Sequence, residues 1–272
     1  MKQMITLEKG AQSTHHARFL RKYRLQNLSV WIARLTLLFL LIGGWEWASQ
    51  KGYIDPFLFS SPTLILKEAQ HLIQEGVFFT HILQTFLETT VGFLGGTLLG
   101  IILATIIWAS PFLSKVLDPY LVVLNSLPKV ALGPIFIVTL GAGFVSIIAM
   151  AIAITIIITT LVIYNSFQTV DPNYLRLVRS FGANRFQLYR LIIFPACIPN
   201  MIAALKVNVG LAWVGVIVGE FLVSKAGLGY LIIYGFQVFN LHLVMMSLAI
   251  IAILATLMYQ AIAFIEHRFK HI

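Results

Sequence analysis

Long apolar runs separated by short polar stretches dominate the chain. Six such runs lie at about 28–49, 83–108, 119–140, 143–164, 200–223 and 242–265. Each run is close to the roughly 20 residues that an α-helix needs to cross a bilayer. The pattern therefore predicts an all-α polytopic membrane protein with six transmembrane helices.

Composition agrees with this pattern. Of the 272 residues, 59% are hydrophobic and only 11% are charged, and the mean hydropathy is +0.89. These values indicate an integral membrane protein. Cys197 is the single cysteine, which excludes an intrachain disulfide. We expect a polar tail at 1–27, which is retained because it lacks the apolar core of a signal peptide, a six-helix domain at 28–265 and a short tail at 266–272.

The formal net charge of +9 is explained by topology rather than by a nucleic-acid partner. An even number of spans places both termini on one side of the membrane. Thirteen basic residues then lie on that side, and only Lys51, Lys67 and Lys225 lie on the other. Because lysine and arginine accumulate on the cytoplasmic side, we expect both termini and the loop 171–199 in the cytoplasm.

The first half of the loop 171–199 has the signals of a short helix. Asp171 is the predicted N-cap, Pro172 occupies the first helical position, and Gly182 is the predicted stop. One stripe of this helix is apolar, so that it can lie at a membrane surface while its exposed part docks on another protein. The stripe consists of Tyr174, Leu177, Val178 and Phe181.

The second half of the loop predicts another short helix. Asn184 and Gln187 have the three-residue spacing of a capping pair. Because proline interrupts helices, we expect this second helix to end near Pro195 and Pro199.

The spacing of Gly182, Ile192, Phe194 and Pro195 resembles the EAA loop of bacterial ABC importer permeases, whose pattern is Glu-Ala-Ala, three residues, Gly, nine residues, Ile-x-Leu-Pro. The resemblance extends from Ser60-Ser61-Pro62 to the segment Leu228-Gly229-Tyr230-Leu231. Within these permeases, the chain looks most like the nitrate, sulfonate and taurine branch.

The loop departs from the family pattern at its front. Arg176, Leu177 and Val178 occupy the Glu-Ala-Ala positions, and Phe194 replaces the leucine. The glycine, isoleucine and proline keep their spacing. On charge alone, the loop is also typical of a basic connector that obeys the positive-inside rule and has no further role.

The resemblance implies a type I ABC importer permease fold in the bacterial cell membrane. It also implies a separate cytoplasmic ATPase that binds ATP and magnesium, an extracytoplasmic substrate-binding protein, and a homodimer with the pathway along its two-fold axis. In this family the loop couples the permease to the ATPase. The corresponding residues here are Asp171, Tyr174, Arg176, Leu177, Val178, Arg179, Phe181, Gly182, Ala183, Ile192 and Pro195.

Polar residues inside the third span are candidates for a solute pathway, because polar groups in hydrocarbon are costly unless they face a cavity or a partner. Asn125, Ser126 and Lys129 lie next to Pro128, which is six residues before Pro134. Two prolines are expected to break the helix there. Counted from a helix starting at Pro119, Lys129 lies about 15 Å deep, where its cation could attract an anionic solute.

Other polar residues within the spans have different predicted roles. Glu220, near the outer end of the fifth span, is expected to close an external gate or to partner a basic group. Lys206 is expected to extend to the cytoplasmic face. Glu46 and Glu88 lie near the outer ends of their spans and are expected at the membrane interface.

Small residues predict where the spans pack. Gly92, Gly96 and Gly100 recur every four residues in the second span, and Gly215 and Gly219 repeat the spacing in the fifth. Such a face lets another helix approach closely.

Two segments outside the spans have structure of their own. A capped amphipathic helix is predicted from Ser61 to Gly76, lying flat on the outer face. The partly apolar stretch 227–240 is expected to be re-entrant or to lie beside a gate, since a full crossing would move the carboxyl terminus outside.

The sequence contains no GxxxxGK[ST] phosphate loop and no HExxH motif, so any ATP-driven activity requires a partner. Two other classes remain open: a secondary transporter without an ATPase, for which internal repeats are missing, and a membrane-embedded enzyme, for which a catalytic cluster is missing. The substrate suggested by the branch and by Lys129 is a small anion such as nitrate, sulfonate or taurine. The alternative within the branch is a vitamin precursor.

Overall fold

The structure, a computed structural model, describes residues 14–269, which form helices joined by short loops and include no strand. This confirms the all-α prediction. In chain order the α-helices are α1 Thr14–Gln50, α2 Pro56–Phe59, α3 Pro62–Gln74, α4 Phe78–Ala109, α5 Pro111–Ser126, α6 Gly133–Leu140, α7 Phe144–Gln168, α8 Pro172–Ser180, α9 Arg185–Leu188, α10 Phe194–Val223, α11 Leu228–Gln237 and α12 Leu241–Phe269. A 3₁₀ turn, Lys129–Leu132, precedes α6, and a π-helical turn, Tyr189–Ile193, joins α9 to α10.

Five stretches of continuous helix are long and apolar enough to cross a membrane, and one bent pair makes a sixth candidate. This agrees with the six predicted spans, although the observed helices are longer. The five are Arg21–Gln50, Phe78–Ala109, Phe144–Gln168, Arg185–Val223 and Leu241–Glu266, and the bent pair is Pro111–Ser126 with Lys129–Leu140.

The third span begins earlier than predicted. The helix does not start at Pro119, which lies inside α5. Instead, the Ser110 side chain accepts a hydrogen bond from the Leu113 amide, and Pro111 follows the cap directly. This serine and proline pair supplies both features of a helix start. The span then bends by 90° between Ser126 and Lys129, which confirms the predicted break at Pro128.

Helices α4, α7 and α10 pack closely through the predicted glycine faces. A side chain added at Gly92 would meet Ala151, and one added at Gly100 would meet Thr159, so α4 and α7 run parallel. On α10, Gly215 lies against Ala151 while Gly219 lies against Ile147. Helix α10 is therefore antiparallel to α7, and the bent α5–α6 span must return the chain between α4 and α7.

Helix α12 lies against α10 and runs antiparallel to it. Lys206, near the start of α10, forms an ion pair with Glu266 near the end of α12, and its ammonium lies 5.7 Å from the centre of the Tyr259 ring. The ends of α10 and α12 that meet here lie on the side of the loop 171–199, which we call the loop side. Glu266 gives the Lys206 ammonium a negatively charged partner at this end of the helices. The extension of Lys206 to the cytoplasmic face stays a prediction.

The segment 14–65 forms a compact unit of its own, and the remainder forms another. Within the first unit, the Glu46 carboxylate accepts hydrogen bonds from the backbone amide and hydroxyl of Thr63, at 3.0 and 2.9 Å. Asp55 caps α2 through the amide of Phe57. These bonds fold the connection after α1 back onto the end of that helix.

Two predicted segments outside the spans are also present. Helix α3 begins at Pro62 and is followed by Gly76 in a left-handed conformation, with φ 76°. The stretch 227–240 forms α11, which has ten residues and is about 15 Å long. Helix α11 is too short to cross a bilayer alone, and one side of it is buried against the other helices.

Candidate functional site

Helix α8 forms the first half of the loop as the sequence predicts. The Asp171 side chain accepts a 2.8 Å hydrogen bond from the Asn173 amide, and Pro172 is the first helical residue. At the other end, the Gly182 amide donates to the Arg179 carbonyl and the Ala183 amide donates to the Val178 carbonyl, at 2.9 and 3.4 Å. This pair of bonds is a Schellman motif, which places its glycine in the left-handed region.

The second half of the loop is capped as predicted but ends differently. The Asn184 side chain accepts from the Gln187 amide and the Gln187 side chain accepts from the Asn184 amide, both at 2.8 Å. The helix does not stop near Pro195 and Pro199. It continues through the π turn into α10, and Pro199 lies inside α10.

The π turn explains why Pro195 does not end the helix. A proline has no backbone N–H and its ring crowds the carbonyl one turn earlier. In the turn, the Phe194 amide donates to the Tyr189 carbonyl five residues earlier, which widens the helix directly before Pro195. The loop therefore joins the fifth span as one continuous helix, Arg185–Val223.

Residues at the π turn and in α9 anchor the loop to the spans. The Tyr189 hydroxyl lies 2.9 Å from that of Thr105 in α4, and the Tyr189 ring contacts the rings of Trp108 and Phe167. The Arg185 guanidinium donates to the Ala109 carbonyl at the end of α4. These contacts fix the second half of the loop to α4 and α7.

The outer surface of the loop is apolar and basic. Phe181 is 82% exposed, and Tyr174, Leu177 and Phe186 are also exposed. Val178 departs from the predicted stripe, since it is half-buried like Leu175, which packs against the core. The remaining predicted loop residues divide by exposure. Asp171, Arg176, Arg179, Gly182 and Pro195 are exposed, and Ala183 and Ile192 are half-buried.

At the break in the third span, Lys129 has a partner on its own chain. Its ammonium donates a 2.8 Å hydrogen bond to the Asn125 carbonyl, which the end of α5 leaves without a helical donor. The depth predicted for Lys129 was counted along a straight helix from Pro119. The helix starts at Pro111 and the chain turns by 90° just before Lys129, so the straight helix assumed in that count is wrong. Asn125 and Ser126 have exposed side chains at the end of α5.

Glu220 lies in a buried polar cluster between α4, α10 and α11. Its carboxyl oxygens accept hydrogen bonds from the Thr85 hydroxyl at 2.7 Å and the Gly229 amide at 2.5 Å. Of the two roles predicted for it, the basic partner is absent among the contacts of the described residues. Its neighbour is instead the Glu88 carboxyl group.

Glu88 was expected at the membrane interface, and that expectation is wrong. Its side chain is fully buried on α4 beside Glu220. The sequence contained a signal for this: Glu88 precedes Gly92 by four residues and Gly96 by eight, so it lies on the helix face that packs against α7.

The candidate residues therefore form two separate groups. The described contacts of Lys129 are with α5, and those of Glu220 are with α4 and α11. Among the side chains that the structure describes, no group of three histidine, cysteine, aspartate or glutamate residues could hold a metal ion. What the arrangement offers is a surface for docking, a polar break in a span and a buried carboxyl pair.

Comparisons with known proteins agree on one family. Residues 96–271 match the family model described as binding-protein-dependent transport system inner membrane component. The chain is 31% identical to the formylaminopyrimidine transport permease protein ThiX of Halalkalibacterium halodurans, over 72% of this chain and 78% of that protein. It is 27% identical to the putative aliphatic sulfonates transport permease protein SsuC of Bacillus subtilis, over 88% of this chain and 86% of that one.

A solved structure shows the same fold. The chain is similar to a chain of the MetNI methionine ABC transporter in an inward-facing conformation, with a TM-score of 0.63 and 17% identity. The match covers 72% of this chain and 97% of that one. It supports the type I importer permease fold that the sequence predicts.

Proposed function

Since the chain belongs to the family of binding-protein-dependent transport system inner membrane components, as an ABC importer permease of the nitrate, sulfonate and taurine branch, we propose that it forms the solute pathway and that a separate ATPase drives it through the loop 171–199. The permease is itself a transporter subunit and not an enzyme. ATP and magnesium are bound by the partner.

The observation that carries the coupling proposal is the construction of the loop. Its apolar and basic outer surface is exposed, while Tyr189 and Arg185 hold its second half against the spans. The loop also continues without interruption into α10. A force applied to the loop surface is thus delivered to a helix that crosses the membrane domain. A connector without a coupling role does not require such a continuous helix.

The partners follow from this arrangement. We propose two copies of the ATPase in the cytoplasm, a substrate-binding protein on the outer side, and two copies of this chain around one pathway. Asn125 and Ser126 support the pairing, because polar side chains exposed in a span require a partner or a water-filled cavity. Alternating exposure of the pathway to the two sides would follow ATP binding and hydrolysis. The start of α10 and the end of α12 meet at the ion pair of Lys206 with Glu266, on the loop side. We assign the loop side to the cytoplasm.

The substrate we favour is a small anion such as nitrate, a sulfonate or taurine, for which relatives in this branch are named. Lys129 at the break of the third span supplies a cation for it. A vitamin precursor is the second candidate, because other relatives are named for formylaminopyrimidine and riboflavin.

Purification of the tagged chain from its native membrane tests the proposal. We expect mass spectrometry to identify a phosphate-loop ATPase at one copy per permease chain, together with the binding protein. The Leu177→Asp variant should lose the ATPase, because it places a charge in the apolar docking surface. Leu66→Asp is the matched control, since Leu66 is similarly exposed but lies on α3.

Two results would contradict the coupling proposal. One is recovery of the chain without an ATPase, combined with ATP-independent transport in vesicles, which would indicate a secondary transporter. The other is retention of the ATPase by Leu177→Asp at the level of Leu66→Asp, which would place the docking surface elsewhere.

A further inference from the structure

The first turn of α11 is held by side chains from two other helices. Three consecutive backbone amides at its start, those of Gly227, Leu228 and Gly229, each donate to a side chain. The acceptors are Nδ1 of His81 at 2.9 Å, the hydroxyl of Thr85 at 2.7 Å and the carboxyl of Glu220 at 2.5 Å. Since the first amides of a helix have no helical acceptors, these side chains fix where α11 begins.

Glu220 acts as an acceptor through both of its carboxyl oxygens. One oxygen takes the Gly229 amide. The Thr85 hydroxyl hydrogen has two acceptors within reach, the other Glu220 oxygen at 2.7 Å and the His81 carbonyl at 3.2 Å, and the shorter contact is with Glu220. An ionised carboxyl group accepts at both oxygens, whereas a protonated one turns one of its oxygens into a donor. Its negative charge also lies at the amino-terminal end of α11, where the helix dipole stabilises it.

A second carboxyl group, that of Glu88, neighbours this carboxylate. One of its oxygens, Oε1, accepts from the Gln84 side-chain amide at 3.2 Å. The other, Oε2, is buried without a donor. Two carboxylates cannot face each other in a buried site without a proton or a cation between them.

No cation takes that position among the described residues. The contacts between His71 and Glu75 and between Lys206 and Glu266 do not involve Glu88 or Glu220. His81 is a titratable residue of α4 at the start of α11, but its Nδ1 accepts the Gly227 amide, and its ring stacks on Tyr230 of α11. Glu220 is the charged group that α10 contributes to the cluster.

We propose that Glu88 carries a proton on Oε2 and donates it to the Glu220 carboxylate, so that the pair is a proton-binding site with a single negative charge. The proton gives the buried Oε2 atom its missing partner. It also completes a set of three donors around Glu220, from Thr85, Gly229 and Glu88. The pair thereby positions the start of α11 against α4 and α10.

The position of this site connects it to the loop. Glu220 lies near the end of the continuous helix that begins at Arg185, roughly 50 Å away along the helix axis. Movement of the loop would therefore change the contacts of Glu220 with α4 and α11. This role in transport rests on the proposed function, whereas the shared proton itself does not.

Variants of the two carboxyl groups should behave differently. Glu88→Gln replaces the proposed O–H donor by an N–H donor and should keep the start of α11 protected. Glu88→Leu removes the donor. Glu220→Gln places an amide group, which has only one acceptor oxygen, against the three donors. Glu88→Leu and Glu220→Gln should therefore both open the first turn of α11.

Infrared spectroscopy of the purified full chain tests the proton directly. At neutral pH we expect a carbonyl band of a protonated carboxylic acid, which Glu88→Gln removes and Glu75→Gln retains. Glu75 is the control because its carboxyl group is half-exposed and lies outside the cluster. Absence of the band in the unsubstituted chain, or its survival in Glu88→Gln, would overturn the proposal.

Hydrogen exchange at residues 227–229 tests the positioning role. We expect Glu88→Leu and Glu220→Gln to exchange about tenfold faster or more, since each loses a hydrogen bond to a charged group. Glu88→Gln and Glu75→Gln should exchange at the unsubstituted rate. Fast exchange in Glu88→Gln would contradict the donor role of Glu88. Neither measurement requires ATP, a substrate or a partner. A failure of the shared-proton proposal therefore leaves the ATPase proposal standing, and a failure of the ATPase proposal leaves the shared proton standing.

Discussion

The hydroxyl oxygens of Tyr189 and Thr105 lie 2.9 Å apart and are hydrogen-bonded. Tyr189 begins the π turn at the end of the loop, and Thr105 lies in the last third of α4. The bond therefore ties the loop to a span other than the one that continues from it. If the loop transmits a force, part of that force reaches α4 through this pair.

Tyr189→Phe isolates the hydrogen bond, because it keeps the aromatic contacts with Trp108 and Phe167. We expect a loss of about 1 kcal/mol in the free energy of unfolding. ATP-driven transport should fall while the inserted protein remains folded. Thermal unfolding in detergent and uptake in vesicles measure the two effects.

The matched control is Thr105→Val, which removes the other hydroxyl and keeps the side-chain shape. The two single variants and the double variant should lose similar stability, since each breaks the same bond. Fully additive losses would show that the two hydroxyls act independently.

Gly182→Val tests the end of α8. Gly182 has φ +83°, and a Cβ atom added there would have no neighbouring atom within 4 Å. The penalty is therefore one of backbone conformation, about 1–2 kcal/mol or more for a β-branched residue. We expect coupled transport to be lost while the spans remain inserted, as measured by ATP-dependent uptake and membrane fractionation.

Gly182→Asn provides the graded comparison, because asparagine tolerates the left-handed region better than valine does. It should keep most of the transport. Equal transport by the valine and unsubstituted proteins would favour the connector without a coupling role.

Local signals in the sequence predicted the local structure of the loop well. Asp171, Gly182 and the pair Asn184 and Gln187 each act on backbone groups within a few residues, so their effects do not depend on the rest of the fold. Pro195 was misjudged for the opposite reason. Its tolerance depends on a π turn, and the sequence has no local rule that predicts one.

The environment of the carboxyl groups was harder to predict, because it depends on which helices meet. Counting from the end of a span placed Glu88 near that end but did not show the direction in which its side chain points. Its spacing from Gly92 and Gly96 held that information, since the glycines mark the packed face of α4. The sequence does not reveal that Glu220 of α10 lies opposite, since 132 positions separate the two residues.

Gly215→Ala tests the close packing of α10 on α7. The added methyl group would lie 2.7 Å from the Ala151 Cα atom, and a backbone atom cannot move aside as a side-chain tip can. We expect a destabilisation of about 1–3 kcal/mol. Gly210→Ala, on the same helix, meets no atom within 4 Å and should be neutral or stabilising by about 0.5–1 kcal/mol. Thermal unfolding of both variants measures the difference, and equal melting temperatures would contradict this packing.

Lys129→Met tests the anionic substrate. If the ammonium of Lys129 attracts the solute, uptake of nitrate, sulfonates or taurine should fall about tenfold, which corresponds to the loss of one charge-assisted hydrogen bond. The same ammonium also donates to the Asn125 carbonyl, so thermal unfolding must be measured alongside uptake. A fall in uptake without a fall in stability assigns the effect to the solute.

Lys67→Met, which neutralises an exposed lysine on α3, is the control for net charge. Unchanged uptake of every anion by Lys129→Met would leave the cation with its structural role alone, and a vitamin precursor would become the favoured substrate.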